Sequence, residues 1–235
     1  MKSLKEALLN RPKNIDVARM VTEEYINNNY ITNGKLTFEY INGTYIVNCD
    51  GDVYVKNEEI VKLTDGFMWG TVDGRFKCDN CDNLTSLEGA PKEVGKGFFC
   101  ENCENLESLV GGPNIVKKNY SCINCKNLKS LEGAPKEVGG DFMCSNCNSL
   151  NSLEGGPERV GGDFKCSYCK RLRSLKGAPE YVDRGFYCYC CDNLISLKGS
   201  PEKVGGFFDC RQCNNLKSLE GATKTNKLYC DKHLK

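Results

Sequence analysis

The stretch Gly139–Pro157, GGDFMCSNCNSLNSLEGGP, recurs in near copy along most of the chain. Cys-x-x-Cys pairs begin at Cys78, Cys100, Cys122, Cys144, Cys166, Cys188 and Cys210, with a constant spacing of 22 residues. A fixed period of this length is the signature of a solenoid, in which each unit is too small to bury a core alone and stacks on its neighbours.

Reading outward from the cysteines, an aromatic column runs from Phe76 through Tyr120 to Phe208, two residues before each pair. A second cysteine column runs from Cys81 to Cys213. Two leucine columns follow, Leu84 to Leu216 and Leu87 to Leu219, then Gly-x-Pro (Gly89/Pro91 to Gly199/Pro201) and a valine column, Val94 to Val204. Phe-x-Cys alternation turns both side chains to one side of a short strand. Proline and glycine in the corner stop pairing and accept unusual backbone angles. Stacked units are expected to form a parallel ladder with about 4.8 Å between strands.

The ends differ from the middle. Ser3-Leu4-Lys5-Glu6 fits a capping box, Pro12 breaks the short helix that follows, and Ile15, Ala18, Val21 and Tyr25, with Val17 and Met20 beside them, mark a second helix. Leu36, Phe38 and Tyr40, then Asn42-Gly43, then Tyr45 and Val47 predict a β-hairpin. Short segments are expected at Val53–Val55, Ile60–Leu63 and Phe67–Thr71. Residues 1–50 read as an N-terminal helical and hairpin cap, 51–74 as a degenerate first repeat, and 75–235 as seven repeats with a short C-terminal capping unit. The last unit is two residues shorter than the others.

The pattern Pro-x-x-Val-(x)3-Phe-x-Cys-x-x-Cys-x-x-Leu-x-x-Leu resembles the leucine-rich repeats of bacterial effectors, and more closely the Cys-containing repeat proteins encoded by bacteriophages. The resemblance covers roughly residues 51–235. It departs by one extra residue between the Val and Phe columns, by one between the second Cys and the first Leu, and by cysteine where that family has an asparagine ladder. It implies an α/β repeat solenoid, a parallel β-ladder of leucine-rich-repeat-like units with a small α+β cap. It also implies both cysteine columns facing inward and protein binding through the sheet face. It implies no catalytic residue.

Composition narrows function. Net charge is +1, and residues 1–74 carry 8 Lys+Arg against 11 Asp+Glu while the rest carry 24 against 20. Neither part has the charge excess of a nucleic-acid binder. No apolar run is long enough for a membrane helix. The start lacks signal-peptide features, so a cytoplasmic chain with reduced thiols is expected, in a host cytoplasm if the protein is viral. With one histidine, no Ser/His/Asp set and no Gly-x-x-x-x-Gly-Lys loop, the chain does not read as an enzyme.

The cysteines allow several chemistries. Packed core thiols are the leading one, with the second column hydrogen-bonding turn backbone. Zinc is the alternative cofactor, because Cys-x-x-Cys is a zinc half-site. Its best case is Cys210, Cys213, Cys230 and His233, spaced C-x2-C-x16-C-x2-H. Disulfides between rungs conflict with a reducing compartment. Cys190 lies outside both columns and is expected to be the most exposed thiol.

If Phe and Cys point inward, the residues after each of them point out. The first outward row runs Lys77, Phe99, Ser121, Met143, Lys165, Tyr187, Asp209, Tyr229; the second contains Tyr189 and Arg211. A partner protein is expected on Phe99, Met143, Lys165, Tyr187, Tyr189, Arg211 and Tyr229, residue types enriched at interfaces.

Overall fold

The computed structural model describes residues 15–225 and 227–234. The capping box and first short helix expected before Asn14 lie outside the described residues. The chain is a β-solenoid of about eight turns with two parallel sheets along its length. The first sheet stacks β4 (Asp52–Val55), β6 (Arg75–Lys77), β8 (Gly97–Phe99), β10 (Asn119–Ser121), β12 (Phe142–Met143), β14 (Phe164–Lys165), β16 (Phe186–Tyr187), β18 (Phe208–Asp209) and β19 (Leu228–Tyr229). The second stacks β5 (Phe67–Val72), β7 (Glu93–Val94), β9 (Ile115–Val116), β11 (Glu137–Val138), β13 (Arg159–Val160), β15 (Tyr181–Val182) and β17 (Lys203–Val204). Register advances by one repeat per strand: Phe142 pairs with Phe164, and Val160 with Val182.

Each repeat therefore contributes two short strands where the sequence pattern predicted one. Among the described residues the return leg carries no helix, so the turn is not clearly that of an α/β leucine-rich repeat. The leg from Leu-x-x-Leu through Gly-x-Pro is too short and too broken for a helix. At Gly133, φ is +93° and a Cβ would lie 2.3 Å from the Leu109 carbonyl of the turn before. Only glycine fits that approach.

At the N-terminus, α1 (Ile15–Asn29) lies over the first turn. Ala18, Val21 and Tyr25 pack against the core as the pattern predicted, but Met20 is exposed; among the described side chains of the helix Ile26 and Thr22 are fully buried, and those of Ile15 and Val17 lie outside the description. The chain then forms β1 (Tyr30–Asn33), antiparallel to β4, so the first sheet ends in a reversed strand. The predicted hairpin is present as β2 (Leu36–Ile41) and β3 (Thr44–Cys49), with positive φ at Asn42 and Gly43. β3 pairs in parallel with β5 and joins the second sheet. Ile60–Leu63 is no strand: both end residues are buried, and Leu63 N–H donates to the Glu88 carbonyl as Leu87 does to Val110. They fill the leucine corner of the first turn.

The core is a set of columns. Rings from Phe76 to Phe208 stack with centroids 5.1–5.7 Å apart. Tyr120 sits in this stack with its hydroxyl buried and unpartnered. All fourteen column cysteines are fully buried. Each second-column thiol from Cys103 onward donates to the carbonyl of the first-column cysteine one turn earlier, as in Cys125 to Cys100 at 3.0 Å and Cys147 to Cys122 at 3.2 Å. That is the backbone bonding expected of this column.

An asparagine ladder is also present, on the surface beside the thiols. Asn80, Asn102, Asn124 and Asn146 hold positive φ at the tight turn inside each Cys-x-x-Cys. Their amides donate along the row at 3.1, 2.8 and 2.7 Å. Asparagine tolerates this backbone region better than most residues. Tyr168, Cys190 and Gln212 continue the position with the same backbone but without the amide chain.

Candidate functional site

The outer face of the first sheet is built by pleat alternation. Phe142 and Cys144 turn inward, so Met143 turns outward. Register then places Met143, Lys165, Tyr187, Asp209 and Tyr229 side by side on consecutive strands. Phe99 lies on the same row, separated from Met143 by the strand that carries Ser121.

Cations and rings interleave along this face. Lys77 sits 5.0 Å from the Phe99 ring centre, Lys165 5.8 Å from Tyr187, and Arg211 5.2 Å from Tyr229. Carboxylates hold all three cations, Lys77 through Asp79 at 3.7 Å. Lys165 bridges Asp163 at 3.0 Å and Asp141 at 3.7 Å, and the Arg211 fork grips Asp209 at 2.9 and 2.6 Å. Asp141 and Asp163 also accept backbone N–H bonds from the next turn, at 2.9 Å each, so the carboxylates are held in place. The Tyr187 ring folds back over Gly185, where a Cβ would approach it to 2.5 Å; Phe99 covers Gly97 in the same way. These glycines make room for rings lying along the sheet.

All seven residues predicted to face a partner lie on this surface. Phe99, Met143, Lys165, Tyr187 and Tyr189 are half-buried, while Arg211 and Tyr229 are exposed. Three members of the two outward rows are buried instead. Ser121 donates to Glu101 at 2.5 Å, Asp209 lies beneath the Arg211 fork, and Ser167 is buried with an unpartnered hydroxyl. Alternation sets a side chain's direction, but a long neighbour that folds over it removes the exposure.

Phe207 was missed. It is 39% exposed, 5.4 Å from the Tyr229 ring, with Lys227 5.2 Å from its centre. The doublet Phe207-Phe208 was the available signal, because one ring of such a pair must face out. Tyr168 was also missed; it meets Tyr189 edge-on at 5.3 Å.

The candidate zinc ligands do not converge. Among the described residues no group of three or more His, Cys, Asp or Glu is placed to hold a metal ion. Cys213 donates to the Cys188 carbonyl at 3.2 Å, Cys210 faces the Tyr229 carbonyl at 3.5 Å, and His233 is exposed on a short 3-10 turn. A stack with equivalent atoms in register produces rows of sulfur, where zinc needs a tetrahedron.

The column thiols are held protonated. Burial pushes most of them up, Cys210 and Cys213 to about 12. Cys103, Cys125 and Cys147 are raised first by a hydrogen bond to a neighbouring cysteine of the ladder. Cys190 alone is partly exposed, and its thiol donates to Gln212 at 2.9 Å. A thiol reagent at neutral pH is therefore expected to modify one cysteine per folded chain, Cys190, and all seventeen after denaturation. Intact mass after brief labelling decides this; rapid labelling of several thiols in native buffer would contradict the buried columns.

The fold and its thiol columns define a β-solenoid rich in buried cysteines. No family model, no curated protein and no solved structure matches the chain. Among the described residues no helix is long and apolar enough to cross a membrane.

Proposed function

We propose that this chain is a non-enzymatic protein-interaction module that binds a partner protein through the outer face of its first sheet. One observation carries the reading: Met143, Lys165, Tyr187, Asp209 and Tyr229 stand in register, different in chemistry, on columns that scarcely vary inside. Tyrosine and arginine concentrate binding energy at protein interfaces. Side chains already held by ladder bonds and carboxylates lose little freedom on binding. The likeness to leucine-rich repeats supports the same face, since sheet-face binding is what those repeats share. The likeness to phage-encoded repeats extends the reading to a viral protein acting in a host cytoplasm on a host or virion component.

The test uses full-length protein immobilised under reducing conditions, with retained proteins identified by mass spectrometry. Each is then measured against the Tyr187→Ala/Tyr189→Ala variant. Binding is expected to weaken at least tenfold, about 1.4 kcal/mol or more. Unchanged affinity in a variant with native circular dichroism rules out this face.

A further inference from the structure

The two sheets do not end together. Beyond β18 the first sheet continues with β19, whereas the second stops at β17 with no strand beyond it among the described residues. The cause lies in the short last unit. In the preceding turn, residues 201–206 run out from Pro201, form β17 and return at Gly206. In the last turn, Thr223 donates to the Pro201 carbonyl at 2.6 Å, and Thr225 already reaches the Gly206 carbonyl at 3.3 Å. Two residue steps thus cover what five covered one turn earlier. The chain cuts the corner, and among the described residues no strand covers the edge of β17.

A bare parallel edge carries unused ladder groups. One turn earlier, the Glu180 carbonyl accepts from Lys203 N–H at 3.1 Å and the Val182 carbonyl from Gly205 N–H at 3.0 Å. The equivalent carbonyls of Glu202 and Val204 lie on the edge where the next strand would stand. Val204 is 8% exposed, against 0–2% for the other valines of its column from Val94 to Val182. A groove of about 570 Å³ opens there, lined by Val204, Gly205, Gly206, Lys224, Thr225 and Lys227. Two of those residues are lysines, none is acidic, and Lys203 is exposed on β17 itself. Glu202, exposed beside Lys203, accepts from the Tyr181 hydroxyl at 3.5 Å.

We propose that this edge accepts one extended acidic segment of a partner protein as an added strand, its apolar side chain continuing the valine column and its carboxylates meeting Lys203 and Lys224. Strand addition of this kind draws affinity from main-chain bonds and specificity from the alternate side chains. The site is separate from the outer face of the first sheet, so either can fail alone.

The probe is a synthetic peptide, Pro-Glu-Tyr-Val-Asp, capped at both ends, the sequence of the chain's own residues 179–183. It is titrated into the full-length labelled protein and followed by amide chemical shifts. Saturable shifts are expected at Val204, Gly205 and Thr225, weakening as salt rises. The Lys203→Glu/Lys224→Glu variant is expected to bind at least fivefold more weakly. A second variant replaces residues 223–226 by Pro-Glu-Lys-Val-Gly-Gly, the sequence of 201–206. This restores a 22-residue last turn, and the chain then fills its own edge. It is expected to fold and to lose the shifts at Val204 and Gly205, which its own new strand then covers, while Tyr187→Ala/Tyr189→Ala keeps them. Absence of saturable shifts up to millimolar peptide, or shifts that persist at Val204 and Gly205 in the filled variant, overturns the proposal. So does concentration-dependent association of the chain that the filled variant abolishes, because a second copy would then own the edge.

Discussion

Raising the pH from 7.5 to 9.5 is expected to unfold this protein, removing about 20 kcal/mol of stability across the window. Fifteen thiols are raised in the fold, the fourteen column cysteines and Cys49. In the unfolded chain they ionise near pH 8.5. A group whose folded value is raised contributes stability that is complete below its unfolded value and is lost as pH climbs toward the folded one. Each thiol then costs about 1.4 kcal/mol per pH unit. The fourteen column thiols together remove about 6 kcal/mol at pH 8.5 and about 20 at pH 9.5. The loss continues toward pH 12, where Cys210 and Cys213 begin to titrate in the fold. A globular domain has about 5–15 kcal/mol in total. Urea midpoints measured with reductant at constant ionic strength, at half-unit steps from pH 7 to 10, test this. A midpoint at pH 9.5 equal to that at pH 7.5 would mean that the columns are not buried thiols.

Phe142→Ala is the point substitution with the largest expected cost, about 3–5 kcal/mol. Its ring lies 5.1 Å from Tyr120 and 5.4 Å from Phe164, and the side chain is fully buried. Contacts in a stack run only to adjacent turns, so nothing beyond them takes up the strain. The gap divides the ladder into an N-terminal and a C-terminal block. Trp69, the single tryptophan, is buried in the first block and reports on it alone, while circular dichroism reports on both. In urea the two signals are expected to separate in the variant, with the tryptophan midpoint the higher. Tyr120→Phe, one turn away, is expected to change stability in the opposite direction by about 1–2 kcal/mol, because it deletes a buried hydroxyl without a partner. A single coincident transition at the wild-type midpoint for Phe142→Ala would refute the block picture.

The inward columns were legible because one constraint repeats: a position that must be buried in every turn shows the same residue type every 22 residues. Phe142, Cys144, Cys147, Leu150 and Leu153 are all buried for this reason. The hairpin at Asn42-Gly43 was legible because its turn chemistry is local. The second sheet was not. From β7 onward its strands are two residues long, with one buried side chain each, as at Glu137–Val138, and too short for alternation to register. The candidate face was legible in direction, since Met143 follows Phe142, but not in exposure. Whether Asp209 shows itself depends on where the Arg211 fork lands, and no spacing rule contains that. The shortened last unit was visible as a count; its consequence for β17 appears only when Thr223 and Thr225 are seen bonded to Pro201 and Gly206.

The one-turn register has a mechanical consequence. Phe142 and Phe164 are neighbours in the ladder yet 22 residues apart along the chain. Folded, a turn adds about 4.8 Å to the length of the stack; drawn out, the same residues reach roughly 75 Å. Under tension applied between the two ends, turns peel away one after another, each rupture lengthening the tether by roughly 70 Å. A chain anchored at both ends would then yield in steps and limit the force passed to whatever it holds.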